Sequence, residues 1–108
     1  MQLLDHEILR RQIPYTCLAC TDAYRIWSLD INGAIRYEVH RRRFAPTSTV
    51  TYGTKDVVRP ERELFATDEE FGRYAWAYQE LQDAMDKAIT LEPHASFVLL
   101  QNYLCRVA

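Results

Sequence analysis

Between Tyr24 and Val39 the chain alternates: Trp27, Leu29 and Ile31, then Ile35, Tyr37 and Val39, fall at every second position. That is the period of a half-buried β-strand, and the two runs around Asn32-Gly33 predict a hairpin. The pleat then constrains the loop. A two-residue Asn32-Gly33 loop would put the two apolar rows on opposite faces, whereas a three-residue loop, Ile31-Asn32-Gly33, pairs Leu29 with Ile35 and Trp27 with Tyr37 on one face. Asp30 suits the start of a type I turn and Gly33 the left-handed bulge position after it. The three-residue loop is therefore expected.

Further along, Val50 and Tyr52 alternate between threonines, which predicts a third strand. Gly53 turns the chain into a fourth, Lys55 to Arg59, closed by Pro60. Ahead of the hairpin, Leu4, Ile8, Leu9 and Ile13 suggest a short amphipathic helix stopped by Pro14. The longest predicted element is a helix over about 68–91, announced by the capping pair Thr67 and Glu70, with Ala66 set to pack on Phe71. At about 100° per residue, Phe71, Tyr74, Ala75, Tyr78, Leu81, Met85, Ala88 and Ile89 share one side. Trp76 lies roughly 140° from Phe71, among Glu80, Asp83 and Lys87, on the wet face. After Pro93, residues 97–107 fit a C-terminal helix, with a buried strand as the alternative. The fold class expected is α+β, one domain over residues 1–108: a sheet of three to four strands turning at Gly33, the long helix across its apolar face, and short helices at either end.

Composition narrows the setting. The 108 residues are 48% hydrophobic and 26% charged, with three glycines and four prolines, a globular balance with no linker-like or low-complexity tract. No apolar run approaches the roughly 20 residues a membrane helix needs. The start, MQLLDHEILRR, lacks the pattern of a secretory signal. Three cysteines, an odd number, argue against a disulfide framework. A cytoplasmic location is expected.

Charge is divided along the chain. Residues 1–62 hold ten Lys/Arg against seven Asp/Glu, and residues 63–108 hold three against eight. His40-Arg41-Arg42-Arg43-Phe44 is the densest basic run, with Lys55 among the cations that could extend it. If the strand continued through the run, Arg41 and Arg43 would point away from the face of His40, so the three arginines would not form one stripe.

Cys17 and Cys20 form a Cys-x-x-Cys pair, but zinc needs four ligands, and only Cys105, His6, His40 and His94 remain to complete a site from distant segments. A thioredoxin-like dithiol needs a helix start, and the flanks here read as a strand. The pair is expected to be two small, semi-buried residues leading into the hairpin. No metal or cofactor is expected. Gly-x-Ser-x-Gly, His-Glu-x-x-His and glycine-rich phosphate loops are absent, and catalysis is not expected.

These residues carry no resemblance to a known family. The expected function is a small non-enzymatic protein acting by protein-protein interaction through Trp76, Gly72, Glu80 and Asp83 or through an open sheet edge. Compact, motif-free domains of this size are common among accessory and inhibitor proteins of phages and other mobile elements. Homodimerisation stays open. The alternative is a nucleic-acid-binding module using Arg41, Arg42, Arg43 and Lys55, disfavoured because the chain as a whole carries a net charge of −2.

Overall fold

The computed structural model describes residues 2–92. Five antiparallel strands form the main sheet in the order β1-β2-β3-β4-β9: β1 Glu7–Arg10, β2 Ile13–Cys20, β3 Tyr24–Ile31, β4 Ala34–Arg41 and β9 Ala75–Tyr78. Four short strands, β5 Arg43–Ala45, β6 Ser48–Tyr52, β7 Lys55–Arg59 and β8 Arg62–Leu64, lie between β4 and β9 and pair with one another outside the sheet. A 3-10 turn spans Asp68–Glu70, and the helix α1 spans Leu81–Leu91.

The predicted hairpin forms, but with the two-residue loop. Ile31 pairs with Ala34, Leu29 with Arg36 and Trp27 with Glu38, while Asn32 (φ 53) and Gly33 (φ 88) occupy the two left-handed turn positions. Asp30 Oδ1 accepts the Gly33 amide at 2.8 Å. The apolar rows consequently lie on opposite faces. That is the stable arrangement here because the sheet is buried on both sides. On one face, Ala19, Ile26 and Val39 pack with Ala84 and Ala88 of α1, flanked by Leu18, Tyr24, Tyr37, Trp76, Tyr78, Met85 and Leu91. On the other, Tyr15, Cys17, Trp27 and Leu29 are covered by Leu4, Ile8, Ile13, Cys20 and Phe65. Trp27 and Cys17 are wholly inaccessible. The Phe65 ring stands within 5.0–5.5 Å of the rings of Tyr15, Trp27 and His40, separations at which edge-to-face aromatic pairs are favourable.

The N-terminal helix is not formed. Glu7–Arg10 is an edge strand that turns through Arg11 (φ 51) and Gln12 (φ 66) to pair Ile8 with Tyr15 and Arg10 with Ile13. The spacing of Leu4, Ile8 and Ile13 fits a helix only if Leu9 is buried too, and Leu9 is 71% exposed. Pairing with β2 satisfies the backbone and still buries Ile8 and Ile13 against the core.

The helix predicted over 68–91 is reduced to its last 11 residues. Gly72, at φ 88, donates its amide to the Ala75 carbonyl at 2.7 Å and reverses the chain. A left-handed residue cannot continue an α-helix. The Thr67 hydroxyl does reach Glu70 Oε1 at 3.2 Å, yet the pair closes only the 3-10 turn. Beyond it, Tyr74, Trp76 and Tyr78 are an alternating aromatic run, and Ala75–Tyr78 joins the sheet edge against β4. Only Leu81–Leu91 keeps the helical period, burying Ala84 and Ala88, whose small side chains let α1 approach the sheet closely. The helix or strand expected over residues 97–107 lies outside the described residues.

The four short strands β5–β8 form an arm with a register of its own. In both the β5-β8 and the β6-β7 pairs the partners run in a single frame: Arg43 with Leu64 and Ala45 with Arg62, then Ser48 with Arg59 and Tyr52 with Lys55. The four strands are therefore one long hairpin. Its ladder is interrupted where Pro46 and Pro60, which have no amide proton to donate, face the opposite chain.

What fastens this hairpin to the sheet is a carboxylate. Glu63 on β8 is 5% exposed and accepts Arg25 Nε at 2.7 Å and Nη2 at 2.8 Å, Arg42 Nε at 3.0 Å and the Leu4 amide at 3.2 Å. Burial by itself would raise the Glu63 pKa, but the hydrogen bonds from the two guanidiniums and the amide outweigh it and hold the group below its ordinary value. The same buried pair holds Arg25 above the usual arginine range, against the opposing effect of burial. Glu63→Gln leaves a guanidinium buried without its counter-charge and is expected to cost about 3–5 kcal/mol in urea unfolding at neutral pH. Because the folded-state pKa is depressed, the contribution of Glu63 is fully present above the unfolded glutamate pKa and is lost as pH falls through the folded value. The gap between wild type and Glu63→Gln should therefore narrow in acid; a gap that widens there contradicts the assignment.

Candidate functional site

The basic run sits where the main sheet gives way to the arm. Arg41 ends β4, and its amide donates to the Tyr74 carbonyl at 2.7 Å, which brings the segment ahead of β9 alongside. Arg42 interrupts the strand and turns inward, where its Nη1 also donates to the Thr21 carbonyl at 2.8 Å. Arg43 and Phe44 open β5. The break at Arg42 removes the alternation that would have separated the three side chains. Arg41, Arg42, Arg43, Phe44 and Tyr74 thus line one open cleft of about 520 Å³.

Their charges are not equally available. Arg42 is bound to Glu63 and is 10% exposed at its side chain, so its task is chiefly structural. Arg43 Nη1 lies 2.6 Å from Glu70 Oε1 while its side chain stays 43% exposed. Arg41 is exposed and, among the described residues, makes no ion pair; its guanidinium stands 5.6 Å from the centre of the Tyr74 ring. Arg73 stands at the same distance from that ring, and Arg42 lies 5.3 Å from the Phe44 ring. Guanidiniums and aromatic faces therefore alternate around the cleft. Lys55 lies away from it, opposite Tyr52 at the tip of the arm.

The other predicted surface is dispersed. Trp76 is on β9, half-buried against the core cluster beneath α1, with the Lys87 ammonium 4.6 Å from its ring centre. Gly72 lies in the turn before β9, while Glu80 caps α1 without a side-chain bond and Asp83 occupies the first helical turn. These residues flank the two ends of a strand; they do not line one helix face. Trp76→Ala is accordingly expected to lower stability by about 2–3 kcal/mol, less than the roughly 3–5 of a fully buried aromatic. Unchanged urea unfolding in that variant would return Trp76 to a surface role.

Between sheet and covering segment runs a buried polar layer that sequence reasoning missed. His40 Nε2 lies 2.7 Å from Glu38 Oε1, and the Tyr15 hydroxyl donates to Glu38 Oε2 at 3.3 Å. Burial, reinforced by the Glu38 charge, pushes the Tyr15 pKa well above its ordinary value. The cysteines belong to this layer as well. A bulge at Leu18 lets Cys17 pair with Trp27 and Cys20 with Arg25, so both thiols reach one face although three residues apart. Arg25 Nη1 donates to Cys17 Sγ at 3.3 Å. Burial nonetheless raises both thiol pKa values, the opposite of what a nucleophile or metal ligand needs. Among the described residues no group of three His, Cys, Asp or Glu side chains is placed to hold a metal ion, and no helix is long and apolar enough to cross a membrane. Cys105 and His94 lie outside the described residues.

The arm is the most exposed part of the fold. Among the described residues, β6 and β7 pack on each other and scarcely on anything else. Tyr52 and Val58 are each 65% exposed. Directly opposed residues share a face, so Val50, Tyr52 and Val57 form an apolar strip between Lys55 and Arg59, with Ser48 beside it. The reverse face carries Thr49, Val58 and the hydrogen-bonded pair Thr51 and Asp56.

No family model, curated protein sequence or solved structure matches the chain.

Proposed function

We propose that this is a non-enzymatic binding protein that engages a partner protein through the β6-β7 arm. The observation that carries the reading is the strip of Val50, Tyr52 and Val57 on a two-stranded ribbon. An isolated hairpin is at best marginally stable in water, and this one leaves large apolar side chains in solvent with no packing layer above them among the described residues. Both strands also keep an unpaired outer edge among the described residues, where a partner strand could add by backbone hydrogen bonds.

The face itself suggests the partner's chemistry. Lys55 and Arg59 bracket the strip and no carboxylate shares it, which suits an apolar groove or strand edge rimmed by acidic residues. Small size and the lack of a catalytic signature fit an accessory or inhibitory role of the kind the sequence suggested. The surface around Trp76 is a weaker candidate, because that side chain supports α1.

The test is a pull-down from the native host with the intact chain and with Tyr52→Ser/Val57→Ser. Loss of a captured protein in the double variant, with circular dichroism and melting unchanged, is the expected result. Thr49→Ala/Val58→Ser on the reverse face should retain it. Capture that survives Tyr52→Ser/Val57→Ser contradicts the arm as the docking element.

A further inference from the structure

The cleft at the root of the arm stands on residues other than those of the apolar strip, and its chemistry is different. Three guanidiniums, Arg41, Arg42 and Arg43, line it together with Phe44 and Tyr74, and a fourth, Arg73, stands beside the Tyr74 ring. Among the described residues two carboxylates pair with them, Glu63 and Glu70. The surroundings are therefore positive on a chain that is negative overall. At about 520 Å³ the cleft falls within the range of about 300–1,000 Å³ usual for small-ligand sites.

An anion alone would need only the cations. Here Arg41 and Arg73 stand beside Tyr74 and Arg42 beside Phe44, which is itself 39% exposed. Cations that neutralise phosphate, interleaved with rings on which a base can stack, are how single-stranded nucleic acid is held without sequence preference. The rigid parts are already in place. Arg42 is fixed by Glu63 and the Thr21 carbonyl, and Tyr74 is tied to Arg41 through the backbone. The exposed Arg41 is left to move to a ligand. We propose that this cleft binds a phosphate together with its attached base, as presented by single-stranded nucleic acid. In this arrangement Arg41 and Arg73 meet the phosphate, Arg43 joins by releasing Glu70, and the base lies against Phe44 or Tyr74.

The experiment is fluorescence anisotropy of a labelled oligothymidylate of about 12 nucleotides titrated with the full chain at about 50 mM salt. Binding should appear, weaken steeply as salt rises, and fall at least about tenfold in Arg41→Glu/Arg73→Glu, both changes being at exposed positions. Phe44→Ser should weaken it while circular dichroism stays that of wild type. Unlabelled thymidine monophosphate should compete better than inorganic phosphate, and an oligoglutamate peptide should compete poorly. Absence of binding at about 50 mM salt, or binding indifferent to Arg41→Glu/Arg73→Glu, overturns the proposal. Equal competition by phosphate or oligoglutamate overturns it too, reducing the cleft to a general anion site. The arm variant Tyr52→Ser/Val57→Ser leaves the cleft intact, so the two binding readings fail separately.

Discussion

Everything distinctive about this fold passes through the carboxylate of Glu63. A buried charge is tolerated only when its hydrogen-bonding capacity is met, and here Arg25 from the middle of the sheet, Arg42 from the strand break and the Leu4 amide from the N-terminal segment converge on it. One side chain thereby joins the middle of the sheet, the strand break and the N-terminal segment to the hairpin root. It also fixes the hairpin root, because Glu63 pairs with Phe44 across β5 and β8. The position of the cleft, the direction in which the arm leaves the sheet and the placement of Phe65 over Trp27 all follow from that anchoring.

A sheet covered on both faces explains what was legible in the sequence and what was not. The hairpin around Gly33 was visible from alternation alone. Its register was not, because a one-sided core makes apolar rows seek the same face, whereas here Trp27 and Val39 each have a core of their own. The segment after Thr67 misled for a related reason. Its aromatics satisfy a period of 3.6 almost as well as a period of 2, and the deciding feature, the positive φ at Gly72, follows from tertiary structure. At the N-terminus the two left-handed residues, Arg11 and Gln12, carry no turn signature, so nothing in the sequence marked the strand pair.

The candidate sites divide in the same way. The arginine run was visible as composition, but its convergence depends on the break at Arg42, and Tyr74 reaches it only because β9 pairs with β4. The cysteine pair was expected to be structural, and the bulge at Leu18 supplies the mechanism by bringing both thiols beside Arg25. The second half of the polar layer, Tyr15, Glu38 and His40, had no local signal, since each stands in an ordinary strand pattern. The arm was readable as two strands from Val50 to Arg59. Those strands were expected in the main sheet; among the described residues they instead pair with each other, beyond Pro46 and Pro60, whose placement opposite the facing strand becomes clear only with the register.

The sheet is two-sided, with Trp27 beneath the segment that Glu63 anchors and Val39 beneath α1. A nuclear Overhauser spectrum of the folded chain tests this arrangement directly. Backbone contacts placing Trp27 opposite Glu38 and Ile26 opposite Val39, together with contacts from the Phe65 ring to the Trp27 indole, are the predicted result. Backbone contacts placing Trp27 opposite Tyr37 would collect both apolar rows on one face and contradict it.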